Sequence, residues 1–150
     1  MLKADHFCLV RGTAEGGTEL NAFDNALLDA GIGDINLIKV SSIIPPGCRR
    51  EESLPSFPKG AFVPVVYVAH TGTTPGNTVA AALAVGIGQG GFGVVMEARA
   101  GMGKEAEALA RDMVKEAFRV RDIELRELWV LSAEHRVEQV GCALVACVYW

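Results

Sequence analysis

Ser41 and Ser42 stand side by side between an apolar run, DINLIKV from Asp34 to Val40, and the pair Pro45-Pro46. A serine pair at a strand end usually makes only a turn, because short hydroxyls bond their own backbone. One reaction would use it. The Ser42 hydroxyl attacks the Ser41 carbonyl carbon if the turn is strained and the oxygen of the adduct is stabilised. The amide becomes an ester, and elimination cuts the chain. The dehydroalanine left behind hydrolyses to a pyruvoyl group on the new N-terminus. Its ketone forms a Schiff base with a substrate amine, and the adjacent amide carbonyl takes up electrons when carbon dioxide leaves. A second reactive candidate is Glu97, alone in the apolar stretch VVMEA. Such a carboxylate is either solvated or salt-bridged at an edge, or turned toward a buried site where desolvation raises its pKa.

Other motifs carry less. Gly86 to Gly91, GIGQGG, fits the GxGxxG spacing, but the dinucleotide fingerprint needs a helix directly afterwards. Phe92 to Met96 reads as strand, so the glycines predict a hairpin turn. RGTAEGGTE and TGTTPGNT lack the GK[ST] ending of a phosphate loop, and no GxSxG elbow is present. His6, His70 and His135 are scattered without HxH or HExxH, and read as hydrogen-bonded strand residues rather than metal ligands. Cysteines 8, 48, 142 and 147 form no CxxC pair, which predicts buried, reduced thiols in a cytoplasmic protein.

The elements that must position these residues follow from composition and period. The chain has 150 residues, half of them apolar, and a net charge of −4. That suits a single domain, excludes disorder, and leaves no basic stripe for nucleic acid. The first ten residues have no signal-peptide apolar core. Residues 61–96 carry no Asp, Glu, Lys or Arg, and 78–96 could span a bilayer by length. The glycine cluster inside it predicts two buried strands and a turn instead, and no membrane.

His6 to Val10 predicts a strand and the Gly-rich Arg11 to Glu19 a loop. Phe23, Ala26, Leu27 and Ala30 make one face of a helix, with Thr18 or Asn21 as its cap and Gly31 at its end. Asp34 to Val40 predicts a strand ended by the serines, and Pro45-Pro46 bar its continuation in a sheet. Gly47 to Lys59 predicts a loop, and Ala61 to His70 a strand. In Thr78 to Ile87, large residues alternate with alanine or glycine, which predicts a strand with one face against a close neighbour. Phe92 to Ala98 predicts another. Lys104 to Arg121 predicts a helix with a stripe including Leu109, Met113 and Phe118. Leu125 to Glu138 and Cys142 to Trp150 complete the order β-α-β-β-β-β-α-β-β, an α+β fold of sheets covered by two helices.

With these segments in view, Leu20 to Pro46, LNAFDNALLDAGIGDINLIKVSSIIPP, closely resembles the processing region of pyruvoyl-dependent arginine decarboxylases. GAFVPVVYV, TPGNTVAAALAVGI, GVVMEARAG and AEHRVEQVGCALVACVYW resemble that family's later segments, in the same order. The resemblance implies a layered αββα sandwich of mostly antiparallel or mixed sheets. It implies a cut between Ser41 and Ser42, giving a β chain of 1–41 and an α chain of 42–150. Ser42 would become the covalent pyruvoyl group, and neither metal nor pyridoxal phosphate is called for. Asn36 matches the family's active-site asparagine, and Asp24 the aspartate that holds the substrate's basic end. Glu97 matches the acid that returns a proton after decarboxylation. The implied reaction turns L-arginine into agmatine and carbon dioxide, in trimers or hexamers with active sites between subunits. Agmatine could feed polyamine synthesis, or the reaction could serve acid resistance. Ile44 departs from the methionine common in the family, a swap of similar volume. Asp24 favours a cationic side chain without separating guanidinium from ammonium. The same chemistry on lysine, ornithine or histidine therefore stays open, as does an uncut, non-catalytic relative.

Overall fold

The computed structural model describes residues 1–150. Nine strands and two helices follow one another: β1 (His6–Glu15), α1 (Glu19–Asp29), β2 (Asn36–Lys39), β3 (Ile43–Ile44), β4 (Arg49–Glu51), β5 (Phe62–Gly72), β6 (Thr78–Gly88), β7 (Gly93–Ala100), α2 (Gly103–Arg121), β8 (Leu125–Arg136) and β9 (Gly141–Tyr149). They form two sheets. The first is mixed, in the order β2-β5-β9-β1-β4; the second is antiparallel throughout, in the order β3-β7-β6-β8.

Three apolar layers hold four tiers together. Ala22, Ala26 and Ile32 of the α1 region pack on Val65 and Leu144 of the first sheet. Phe7, Val66 and Val145 of that sheet face Leu83, Val85 and Val95 of the second. Ala84 and Val94 on the far side meet Ala110, Val114 and Phe118 of α2. The alternation in β6 has a direct cause. Its large side chains fill the space between sheets, while Ala82 and Ala84 let α2 lie close. The same closeness corrects the expected α2 stripe. Ala106, Ala110, Val114, Ala117 and Phe118 are buried, whereas Leu109 and Met113 fall outside that narrow contact and are exposed.

The glycine-rich segment after Val10 also differs from expectation. β1 continues to Glu15, through residues read as loop. Gly12 there is a close approach between sheet and helix, since a Cβ on it would lie 2.1 Å from the Ala26 carbonyl oxygen. Gly12→Ala must push α1 off the sheet. Overpacking of this kind costs about 1–3 kcal/mol, which would appear as a lower urea midpoint. α1 begins as expected, with the Thr18 hydroxyl oxygen accepting the Asn21 N–H at 3.1 Å. Two short strands were hidden. β4 lies inside the expected 47–59 loop and pairs in parallel with β1, His6 opposite Arg49. β3 exists despite the prolines because it is only two residues long and stops at Pro45. The glycine cluster forms a single 3-10 turn at Gln89–Gly91, with positive φ at Gly90 and Gly91, and strand follows it.

The histidines are bonded, as the strand reading requires. His6 Nδ1 lies 2.7 Å from Glu51 Oε1. His70 Nδ1 is within 3.2 Å of Ala80 O and 3.0 Å of Ala100 O, tying the two sheets. His135 Nε2 lies 2.6 Å from Glu15 Oε1. Glu15 also accepts the backbone N–H groups of Glu138, Gln139 and Val140, which close the β8–β9 turn. Those backbone bonds, with His135, hold the Glu15 carboxyl at about 2, against an ordinary 4.5. A carboxylate with a depressed folded pKa stabilises the fold above its unfolded pKa and loses that effect as pH falls toward the folded value. The Tm gap between wild type and Glu15→Gln should therefore be full above pH ~5 and close as pH approaches ~2. No helix is long and apolar enough to cross a membrane.

Candidate active site

Ser41 and Ser42 are the crossing between the two sheets. The chain leaves the first sheet at Val40, whose N–H donates to Val65 O at 3.0 Å. It enters the second sheet at Ser42, whose carbonyl accepts the Val95 N–H at 2.9 Å. β2 and β3 are edge strands of their sheets, so the chain crosses from one sheet edge to the other. The crossing is tight. The Ile43 N–H donates to the Ser41 carbonyl oxygen at 2.7 Å, an i to i+2 bond that makes a γ-turn centred on Ser42. Ser42 is absent from the positive-φ residues, so the turn is the inverse form. Its consequence is electrostatic. The carbonyl that Ser42 would attack is already polarised by an N–H donor, which stays in place for a developing oxyanion.

Glu97 approaches from β7. Ile43 pairs with Val94, and the next bond joins Ser42 to Val95. Glu97 is therefore two residues beyond Ser42's partner, roughly 7 Å along the strand. Side chains alternate across a strand, so Glu97 points to the side of Val95, into the space between sheets. It is half-buried in an open recess with Lys39, Tyr67 and Arg99. It takes part in no ion pair. Burial raises its pKa above 4.5, opposed by the charge of Lys39. Lys39 Nζ sits 4.7 Å from the centre of the Tyr67 ring. Of the alternatives left open by the sequence, the salt bridge is absent, and the carboxyl is partly desolvated in an open recess.

On the Ser41 side, Val40, Ser41, Ile43, Pro64 and Tyr149 border an open cavity of about 470 Å³. Tyr149 was not foreseen. It closes β9, a strand buried at every residue, and its hydroxyl oxygen is buried without a hydrogen-bond partner. Leaving such a group unpaired costs about 1–3 kcal/mol. The readable signal was a phenol inside the otherwise apolar CALVACVYW.

Asn36 and Asp24 stand apart from this cluster within one chain. Asn36 opens β2, with Val40 four residues on, about 13 Å along an extended strand. Its Nδ2 donates to Gly60 O at 2.8 Å. Asp24 is exposed on α1, which covers the outer face of the first sheet, across that sheet from Glu97.

The Ser-Ser crossing and the half-buried carboxyl near it, in a two-sheet sandwich, make up the candidate active site. A family model described as pyruvoyl-dependent arginine decarboxylase matches residues 6–150. Relatives bearing that name include one from Pyrococcus horikoshii, 46% identical over 143 residues, which cover 93% of this chain and 90% of the relative. One from Methanocaldococcus jannaschii is 44% identical over 145 residues, covering 95% and 87%. One from Thermococcus kodakarensis is 46% identical over 138 residues, covering 91% and 88%. The chain belongs to the pyruvoyl-dependent arginine decarboxylase family. Its residues fit the family's covalent group. A serine stands at position 42, its acyl neighbour Ser41 is held by a backbone donor, and Ser41 shares its cavity with Tyr149. No cluster of three or more His, Cys, Asp or Glu is placed to hold a metal ion.

Proposed function

We propose that this chain cuts itself between Ser41 and Ser42 and then decarboxylates L-arginine to agmatine and carbon dioxide. The observation that carries the cut is the γ-turn, with Ile43 N–H on the Ser41 carbonyl at 2.7 Å. Ser42 Oγ bonds the Ser41 carbon as its proton moves to the departing Ser42 nitrogen. Loss of the Ser42 Cα proton then breaks Cβ–Oγ and frees the Ser41 carboxylate. Water replaces the enamine nitrogen of the dehydroalanine, which leaves as ammonia. The pyruvoyl group made this way supplies an electron sink for loss of carbon dioxide.

The chain's own residues do the rest. Burial raises the Glu97 pKa, which favours the protonated form that can supply the proton the substrate carbon needs once the carboxylate has left. Asp24 pairs with the planar guanidinium. Asn36 orients the reacting group. Within one chain Asn36 and Asp24 are remote from Ser42, which supports active sites between copies of the chain, in a trimer or hexamer. The αββα layering and the edge strands β2 and β3 suit that reading, as do exposed Ile38 on the edge strand β2 and Phe62 on its neighbour β5. The four free cysteines suit a cytoplasmic enzyme. Carbon dioxide and amine release from L-arginine, lysine, ornithine and histidine is the test. Arginine should be the best substrate, and another amino acid ranking first overturns the assignment.

A further inference from the structure

The Tyr149 hydroxyl is buried with no oxygen or nitrogen acceptor, and only the Cys147 thiol, a weak partner, lies beside it. The residue is 2% exposed, and its side chain joins Phe7, Ile44, Val66 and Cys147 between the sheets. It is the sole buried side-chain polar atom in the protein that lacks a partner. Phenylalanine would fill the same volume without that penalty. The phenol keeps its proton, because burial drives its pKa up and the Cys147 thiol beside it pushes the same way. So weak a partner leaves the hydroxyl free for a stronger acceptor that arises in another state of the molecule.

Tyr149 is one of the residues that border the cavity onto which Ser41 opens, with Val40 and Ile43. The Ser41 carbonyl oxygen has one donor, Ile43 N–H. An oxyanion built on that oxygen carries lone pairs for a second, and preorganised donors there act on the transition state more than on the ground state. We propose that the Tyr149 hydroxyl donates the second hydrogen bond to the Ser41 oxygen during self-cleavage. As Ser42 Oγ bonds the carbonyl carbon, the π pair moves to oxygen, and Ile43 N–H and Tyr149 O–H hold the charge. Collapse re-forms the carbonyl and expels the Ser42 nitrogen with the proton lost by Oγ. Tyr149 is unchanged at the end. The proposal rests on the reading of Ser41–Ser42 as the cut.

Tyr149→Phe removes one oxygen atom, and intact mass over time reads cleavage. The variant should keep or raise its Tm, since it loses an unpaired buried group, while cleavage slows about a hundredfold. Hydroxylamine, which cuts an ester at Ser41–Ser42, isolates the first step. It should cut the variant correspondingly more slowly than freshly made wild type. Cleavage at the wild-type rate overturns the proposal, as does equal sensitivity to hydroxylamine. Slow cleavage with a Tm lowered by several degrees also overturns it, because packing then explains the loss. Wild type that is never cut by either route overturns the underlying reading of the serine pair instead.

Discussion

Ser42→Ala leaves one uncut chain of about 16 kDa with no arginine decarboxylation. The substitution removes the nucleophile and little else. Both hydrogen bonds that shape the turn, Ile43 N–H to Ser41 O and Val95 N–H to Ser42 O, are backbone bonds that alanine keeps. Ser42 is only half-buried, so no cavity of consequence opens. The variant should thus fold, pair β3 with β7 and melt near wild type. Both losses then trace to chemistry, because an uncut chain has no electron sink at residue 42. A Ser42→Ala protein that still decarboxylates arginine would sink the mechanism.

Glu97→Gln should separate the two reactions. Glutamine keeps the shape and neutrality of the protonated carboxyl but has no acidic proton to give. Cleavage at Ser41–Ser42 continues, while decarboxylation falls by about 10²–10⁴. The pH profile carries a second signature. Burial raises the Glu97 pKa, with Lys39 opposing. A general acid works while protonated, so the wild-type rate falls as pH rises through that raised value. The alkaline limb should vanish in Glu97→Gln. An unchanged rate, or an unchanged limb, removes Glu97 from the role.

Much of this architecture was legible where periodicity was strong. Large and small residues alternate through β6 because one face fills the space between sheets and the other admits α2. Glu97 stood out because its charge clashes with an apolar strand, whereas Ser41-Ser42 fits an ordinary turn and gained weight only through the family resemblance. What escaped depended on distant partners. β4 is three residues whose strand character exists only through β1. Gly12 looked like loop because a close helix contact and a turn both select glycine. Leu109 and Met113 fit the helical period, but the period does not give the width of the contact. Tyr149 hid in an apolar run, since only coordinates reveal that a buried hydroxyl lacks a partner. Asn36 and Asp24 were suggested by resemblance alone, and their separation from Ser42 in one chain became visible only with the sheet order.

The central claim is that residue 42 makes its own prosthetic group. The most direct test is the intact mass of freshly purified protein under denaturing conditions. Cleavage predicts two masses of roughly 4 and 12 kDa, the larger with a blocked N-terminus. A single mass of about 16 kDa that persists on long incubation would contradict the account.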